Sequence, residues 1–201
     1  MDVPQERRRL TAHDWAEAAL GAIAEGGVPA VAVEPLATGL GATKGSFYWH
    51  FASRDALLTA AVELWEQRNT DAVIAGVETD AEPAHRLGVL LSRVTGSAAG
   101  ARLEVNLLAA ADHPLVGPAV RRVAARRLAY VVRLFEDLGF SPEQARHRGL
   151  LAYTAYLCQS ELAVSVPGLL PPQETGQEAY TRSVLALLLA PGFGAAPDRG
   201  C

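Results

Sequence analysis

Cysteine is almost missing from these 201 residues: Cys158 sits in an apolar helical stretch and Cys201 ends the chain. Two thiols so far apart give no disulfide framework, and a reducing, cytoplasmic setting is expected. Lysine is scarcer still, with Lys44 standing alone. Aromatic residues are 6% of the chain, and the β-branched and aromatic alternation of a sheet is lacking. Ala, Leu and Arg, which favour helix, are abundant instead. The longest wholly apolar run, Val184 to Ala190, falls far short of the roughly 20 residues that span a bilayer, so no membrane association is expected. The start, Met1-Asp2-Val3-Pro4-Gln5-Glu6, leads into arginines with no apolar segment behind them, so no signal peptide is expected either.

Catalytic patterns are also wanting. His13, His50, His85, His113 and His147 show no HxxxH spacing, and there is no CxxC. A metal site built from Asp112 and His113 needs a distant partner and is disfavoured. There is no phosphate-binding glycine loop and no GxSxG turn, and Cys158 has no adjacent base, which favours a packed core cysteine over a thiolate. The expectation is a protein that is not an enzyme and uses no cofactor or metal.

What is present is helical patterning. Half of the residues are hydrophobic, enough for one or two helical layers with a core. A first helix is predicted from Thr11 to Glu25, with Thr11 and Asp14 as a capping pair and Trp15, Ala18, Ala19, Ala22 and Ile23 facing inward; Gly26-Gly27 ends it. Val33, Leu36 and Ala37 make one face of a short helix that stops at Gly39. A second short helix opens at Thr43 as N-cap, anchored by Phe47, with Phe51 just beyond its end. Gly39 and Gly41 permit positive φ in the tight connection, while Leu40 and Ala42 turn inward. That is a helix-turn-helix pattern. The outward set of its second helix is Thr43, Lys44, Gly45, Ser46, Tyr48, Trp49 and His50, groups that donate to phosphate oxygens and base edges. In sequence, no carboxylate lies between Glu34 and Asp55.

The run Gly41-Ala42-Thr43-Lys44-Gly45-Ser46-Phe47-Tyr48-Trp49-His50-Phe51, followed by Ser53-Arg54-Asp55-Ala56-Leu57-Leu58, closely resembles the DNA-binding signature of the TetR family of bacterial transcriptional regulators. The resemblance covers roughly Thr11 to Leu58. It implies an all-α homodimer with an N-terminal three-helix DNA-binding domain and a larger helical domain that binds a small effector and dimerises. By position, phosphate-contacting roles fall on Thr43, Tyr48, His50 and Arg54, and base-reading roles on Lys44 and Ser46 with Trp49 as a further candidate; Gly45 is the close-approach residue. The chain departs from the family pattern at Ala32, where a threonine often opens the first helix of the motif, so a cap and a phosphate contact are lost there. Pro35 is tolerated because it falls in the first helical turn.

The net charge is −4, and the DNA-binding stretch itself is mildly acidic, so few phosphates are neutralised and a shallow salt dependence is expected. Arg7-Arg8-Arg9 reads either as an arm touching DNA or as a soluble tail. Ser53 caps a long fourth helix carrying Leu57, Leu58, Ala61, Val62 and Trp65 inward, which joins the two parts without a flexible linker. Further helices are expected near 84–96, 102–111, 115–138, 142–166 and 173–190. Arg121, Arg122, Arg126, Arg127 and Arg133 are expected to form a solvated face, with a second nucleic-acid surface as the alternative. The helix from Pro142 is apolar on two sides: Leu150, Leu151, Thr154, Leu157 and Cys158 on one, Ala152, Tyr153, Tyr156 and Ala163 on the other. It and the last helix suit a four-helix dimer interface.

The expected division is residues 1–52 for DNA, 53–190 for effector and dimer, and 191–201 as a disordered tail. Trp65, Asn106, Tyr153, Tyr156 and Gln159 are the effector-pocket candidates, favouring a flat or lipophilic ligand. The expected partners are a palindromic double-stranded DNA operator, a small-molecule effector and a second copy of the chain; repression with effector-driven release is favoured. The alternative is a helical small-molecule-binding protein or co-regulator whose DNA-binding motif is vestigial.

Overall fold

The computed structural model describes residues 9–79, 82–94, 98–171 and 176–191, and every regular element among them is helical. Helix α1 (Ala12–Gly26) begins at a complete capping box, Thr11 with Asp14, and ends at Gly27, whose φ of 71° turns the chain away. A single 3₁₀ turn (Val28–Ala30), unforeseen from the sequence, leads into α2 (Val33–Gly39). Ala32 gives α2 no side-chain cap. Helix α3 (Lys44–Tyr48) follows, then α4 (Arg54–Glu66). Without a break α4 runs into a π turn (Gln67–Asp71) and α5 (Ala72–Val77), so Arg54 to Val77 is one rod containing one widened turn.

The second part comprises α6 (Pro83–Val94), α7 (Ala98–Ala109), α8 (Gly117–Asp137), α9 (Pro142–Ser165) and α10 (Gly176–Leu189). Two apolar cores hold the helices. One packs Trp15, Ile23, Val31, Phe47, Leu57 and Trp65 against Leu103, Leu107, Val120 and Val123 of α7 and α8. The other gathers Leu87, Tyr130, Leu134, Phe135, Ala152 and Leu188. The first core therefore ties the helix-turn-helix unit to the second part through packed side chains, so motion of α7 or α8 is felt directly by α1. Asn106 adds a polar tie, its amide donating to the Ala24 carbonyl at 3.2 Å at the end of α1 and, at 2.8 Å, to the Ile23 carbonyl, which also accepts the Gly27 N–H.

Arg121, Arg122, Arg126 and Arg133 lie on an exposed face of α8, as their pattern predicts, but three of them are paired there with acids of the rod. Arg122 bonds Glu66, Arg126 reaches Asp71 at 2.7 Å and Arg133 reaches Glu78 at 2.6 Å, so α8 is zipped along the rod. Arg127 turns inward. On α9, a Cβ at Gly149 would stand 2.7 Å from Val132 Cγ2, so this glycine lets α8 and α9 approach closely. Buried Arg148, which sequence patterning gives no role, donates to the Leu188 and Ala190 carbonyls and so closes the end of α10.

Cys158 is a correction: it is exposed, on the stripe with Leu150, Leu151 and Thr154, while Ala152, Tyr153 and Tyr156 face the interior. Both sides of α9 are apolar, and one chain covers a single side. Arg7, Arg8 and residues 192–201, Cys201 among them, lie outside the described residues. Among the described residues no helix is long and apolar enough to cross a membrane.

Candidate nucleic-acid interface

The connection between α2 and α3 is fixed by backbone chemistry. Gly41 takes φ 64°, its N–H donates to Thr38 O at 3.1 Å, and the Ala42 N–H reaches back to Ala37 O at 2.8 Å. This pair of bonds closes the carbonyl end of α2 and needs a left-handed residue at Gly41. Gly39, by contrast, remains helical, so one glycine supplies what the pattern assigns to two. Thr43 Oγ1 then accepts from the Ser46 N–H at 3.2 Å and opens α3. Phe47 is fully buried, with Trp15 edge-on at 5.4 Å and Phe51 stacked at 5.8 Å between ring centroids.

Pinned on that ring, α3 presents its other sides outward. Thr43, Lys44 and Gly45 are exposed, Ser46 and His50 half-buried, Tyr48 56% exposed and the Trp49 indole 87% exposed. Arg9, Leu10, Gly41, Ser46, Trp49 and His50 flank a groove of about 560 Å³ beside the helix. Ring faces and edges so exposed suit apolar and hydrogen-bonding contact with base edges and sugars.

Two of the polar residues have partners within the chain that the sequence did not indicate. Glu34 of α2 crosses onto the face and holds Lys44 Nζ at 2.5 Å. The Lys44 ammonium, bonded to it, keeps the Glu34 carboxyl below the usual carboxylate range, and Glu34 in turn raises the Lys44 pKa. The pair therefore stays charged at neutral pH, and the charge of the single lysine is partly offset by Glu34 on the outer face. Glu34→Gln is expected to tighten binding to specific and non-specific DNA alike by roughly threefold to tenfold at low salt, read by fluorescence anisotropy. Weaker binding by this variant would show instead that Glu34 aims Lys44. Arg54, expected on phosphate, donates from Nε to Val31 O at 2.6 Å and from Nη2 to Val28 O at 2.8 Å, stapling the 3₁₀ turn to the start of α4.

Of the five pocket candidates, the structure brings three together. Tyr153 and Tyr156 line an interior cavity of about 50 Å³ with Asn69, Thr70, Ile74, Leu87 and Arg127. Gln159 lines an adjoining space, and Tyr156 is a wall of both. Burial, with the Glu104 charge adding to it, pushes the Tyr156 hydroxyl pKa far up, so it is a neutral phenol. Trp65 sits behind the cavity in the first core, its ring centroid 5.3 Å from the Arg127 guanidinium carbon, and Asn106 is away at the end of α1. The sequence-based candidates omit Arg127. A signal for it exists: it stands on the apolar stripe Val120, Val123, Tyr130, Leu134 of α8, where a solvated arginine does not belong.

A recognition-sized helix held across a second helix by a tight glycine turn, open on its outer side and backed by a larger helical unit, defines a helix-turn-helix DNA-binding protein. Residues 16–61 match the model of the bacterial regulatory proteins, tetR family, so this N-terminal stretch is a helix-turn-helix domain of the kind those transcriptional regulators carry. No curated protein sequence matches. Solved structures share the whole fold. A transcriptional regulator from Rhodococcus sp. Rha1 aligns with a TM-score of 0.75 at 19% identity, over 90% of this chain and 96% of that one. FadR from Bacillus subtilis, in complex with stearoyl-CoA, gives 0.67 at 16% identity, over 89% and 97%. A TetR-family member from Streptomyces coelicolor A3 gives 0.61 at 25% identity, over 92% and 99%.

Proposed function

We propose that this protein is a homodimeric repressor that holds a palindromic operator through two α3 helices and is released by a small, lipophilic effector. The observation that carries the DNA-binding part is the side of α3 from Thr43 to His50, left open while Phe47 alone is buried. On this reading residues 1–52 engage DNA and residues 53–190 carry the effector and dimer surfaces.

A second copy of the chain is supported by the uncovered apolar groups of the last two helices: Leu150 and Leu151 on α9, Tyr180 and Leu187 on α10. Packing them about a twofold axis gives a four-helix interface and fixes the spacing of the two α3 helices on successive major grooves. An effector is supported by the apolar cavity against the π turn, and a lipophilic one by the stearoyl-CoA held by the structural neighbour FadR. An effector that prefers a shifted rod by about 1 to 3 kcal/mol is sufficient to change operator occupancy.

Lys44→Ala is expected to relax sequence preference, whereas Tyr48→Phe weakens binding to all sequences alike. The check is a mobility-shift series against operator fragments selected from genomic DNA and against scrambled duplexes. An identical, sequence-independent loss in both variants would overturn this division of roles.

A further inference from the structure

Arg127 is the one charged residue among those lining the cavity. It is also heavily engaged. Nη1 meets Glu104 Oε1 at 2.6 Å, Nε donates to Thr70 Oγ1 at 2.9 Å and Nη2 to the Asn69 carbonyl at 3.2 Å. Burial alone would lower the Arg127 pKa, but the Glu104 charge and hydrogen bond, together with Tyr156 and Tyr153, outweigh it and the guanidinium stays protonated. Five N–H groups belong to a guanidinium; these three bonds and a fourth to the Tyr153 oxygen leave one N–H over, with the Tyr153 O–H beside it as a second donor. The Tyr153 hydroxyl lies at the same guanidinium. The polar end of the cavity is therefore a cluster of donors whose net charge is already cancelled by Glu104, itself 2% exposed.

We propose that this cavity binds an uncharged molecule, an apolar body carrying a carbonyl acceptor such as a ketone, ester or lactone, received by Arg127 and Tyr153, and that Glu104 makes the site reject carboxylates. The inference rests on the effector-site reading above. A carbonyl oxygen takes the remaining donors at no cost in charge. A carboxylate there would leave a buried site with two negative groups and one positive group, and the lost hydration would outweigh its added hydrogen bonds. The apolar body would have to open the wall at Tyr156, behind which lies a second small space of about 10 Å³ that shares Leu91 and Ala152 as walls and is lined by Gln159, whose buried Oε1 lacks a hydrogen-bond partner. Tyr156 is the wall common to both spaces, so a ligand larger than a water or two enters only if that ring and its apolar neighbours move apart.

The test is titration calorimetry of the full chain with a medium-chain methyl ketone and the fatty acid of equal length, from pH 6 to pH 8. Ketone affinity is expected to be flat across that range. The acid is expected to bind at least about tenfold more weakly at neutral pH, losing about tenfold per pH unit because only its protonated form enters. Glu104→Gln is expected to strengthen acid binding at least about tenfold, with the ketone little changed; if that variant does not fold, the wild-type pH series decides alone. An acid that binds as its anion, independent of pH and no more weakly than the ketone, overturns the charge inference and leaves the effector site standing. Neither probe binding while operator DNA is still retarded removes the effector site itself, and the proposal with it. Ketone-selective binding without retardation of any DNA supports the charge inference and refutes the repressor reading.

Discussion

Replacing Phe47 with alanine is expected to abolish operator binding and to cost about 3–5 kcal/mol of stability, the usual range for a fully buried phenylalanine. Helix α3 has five residues and cannot hold itself, since isolated helices so short do not persist in water. Its geometry comes from one ring: Phe47 is fully buried, pinned by Trp15 and Phe51, and Tyr48 leans on the same ring at 5.1 Å. Removing that ring leaves a cavity and also frees the outward residues from their common register. Urea unfolding gives the stability term and anisotropy with labelled operator gives the binding term. Phe47→Leu is the informative companion, because it keeps an apolar anchor and should recover part of both. An alanine variant that unfolds at the wild-type urea concentration and still binds the operator would mean that DNA contacts, not packing, shape α3.

The second large effect is expected at Arg127. Arg127→Met should destabilise the protein by about 3–5 kcal/mol, because it strands Glu104, buried in α7, without its counter-charge. Thr70 Oγ1 and the Asn69 carbonyl lose their donor in the same step. The double variant Arg127→Met with Glu104→Met should regain much of the loss, since two apolar side chains of similar volume leave no charge behind. Chemical denaturation of the single and double variants measures this directly. Equal instability in both would locate the effect in lost packing against Trp65 and Tyr156, whose ring centroids lie 5.3 and 5.9 Å from the guanidinium carbon.

How much of this was legible in the sequence depends on how far apart the partners stand. The helix-turn-helix was readable because its determinants are neighbours: Thr11 with Asp14, Gly41 with Ala42, Thr43 with Ser46, and Phe47 as the lone buried position of α3. The Glu34–Lys44 contact was not, because it depends on the angle at which α2 and α3 cross. The zip of Arg122, Arg126 and Arg133 onto Glu66, Asp71 and Glu78 joins residues more than fifty positions apart, so the same arginine pattern reads equally well as a solvated face. Asn106 and Arg127 show the converse: each is a polar residue on an apolar stripe, which marks it as needing a partner without saying which one. The exposure of Cys158 is hidden in the sequence for a simpler reason, that α9 has two apolar sides and periodicity does not say which the chain itself covers.

The π turn at Gln67–Asp71 stores slack in the rod. A wide turn of this kind holds surplus backbone, and it can travel along a helix without breaking it. Each residue it passes would swing by roughly 100° about the axis, the angle one residue occupies in a regular helix. Arg127 grips the slack at Asn69 and Thr70, so loosening that grip would twist one end of the rod against the other while leaving its length nearly unchanged.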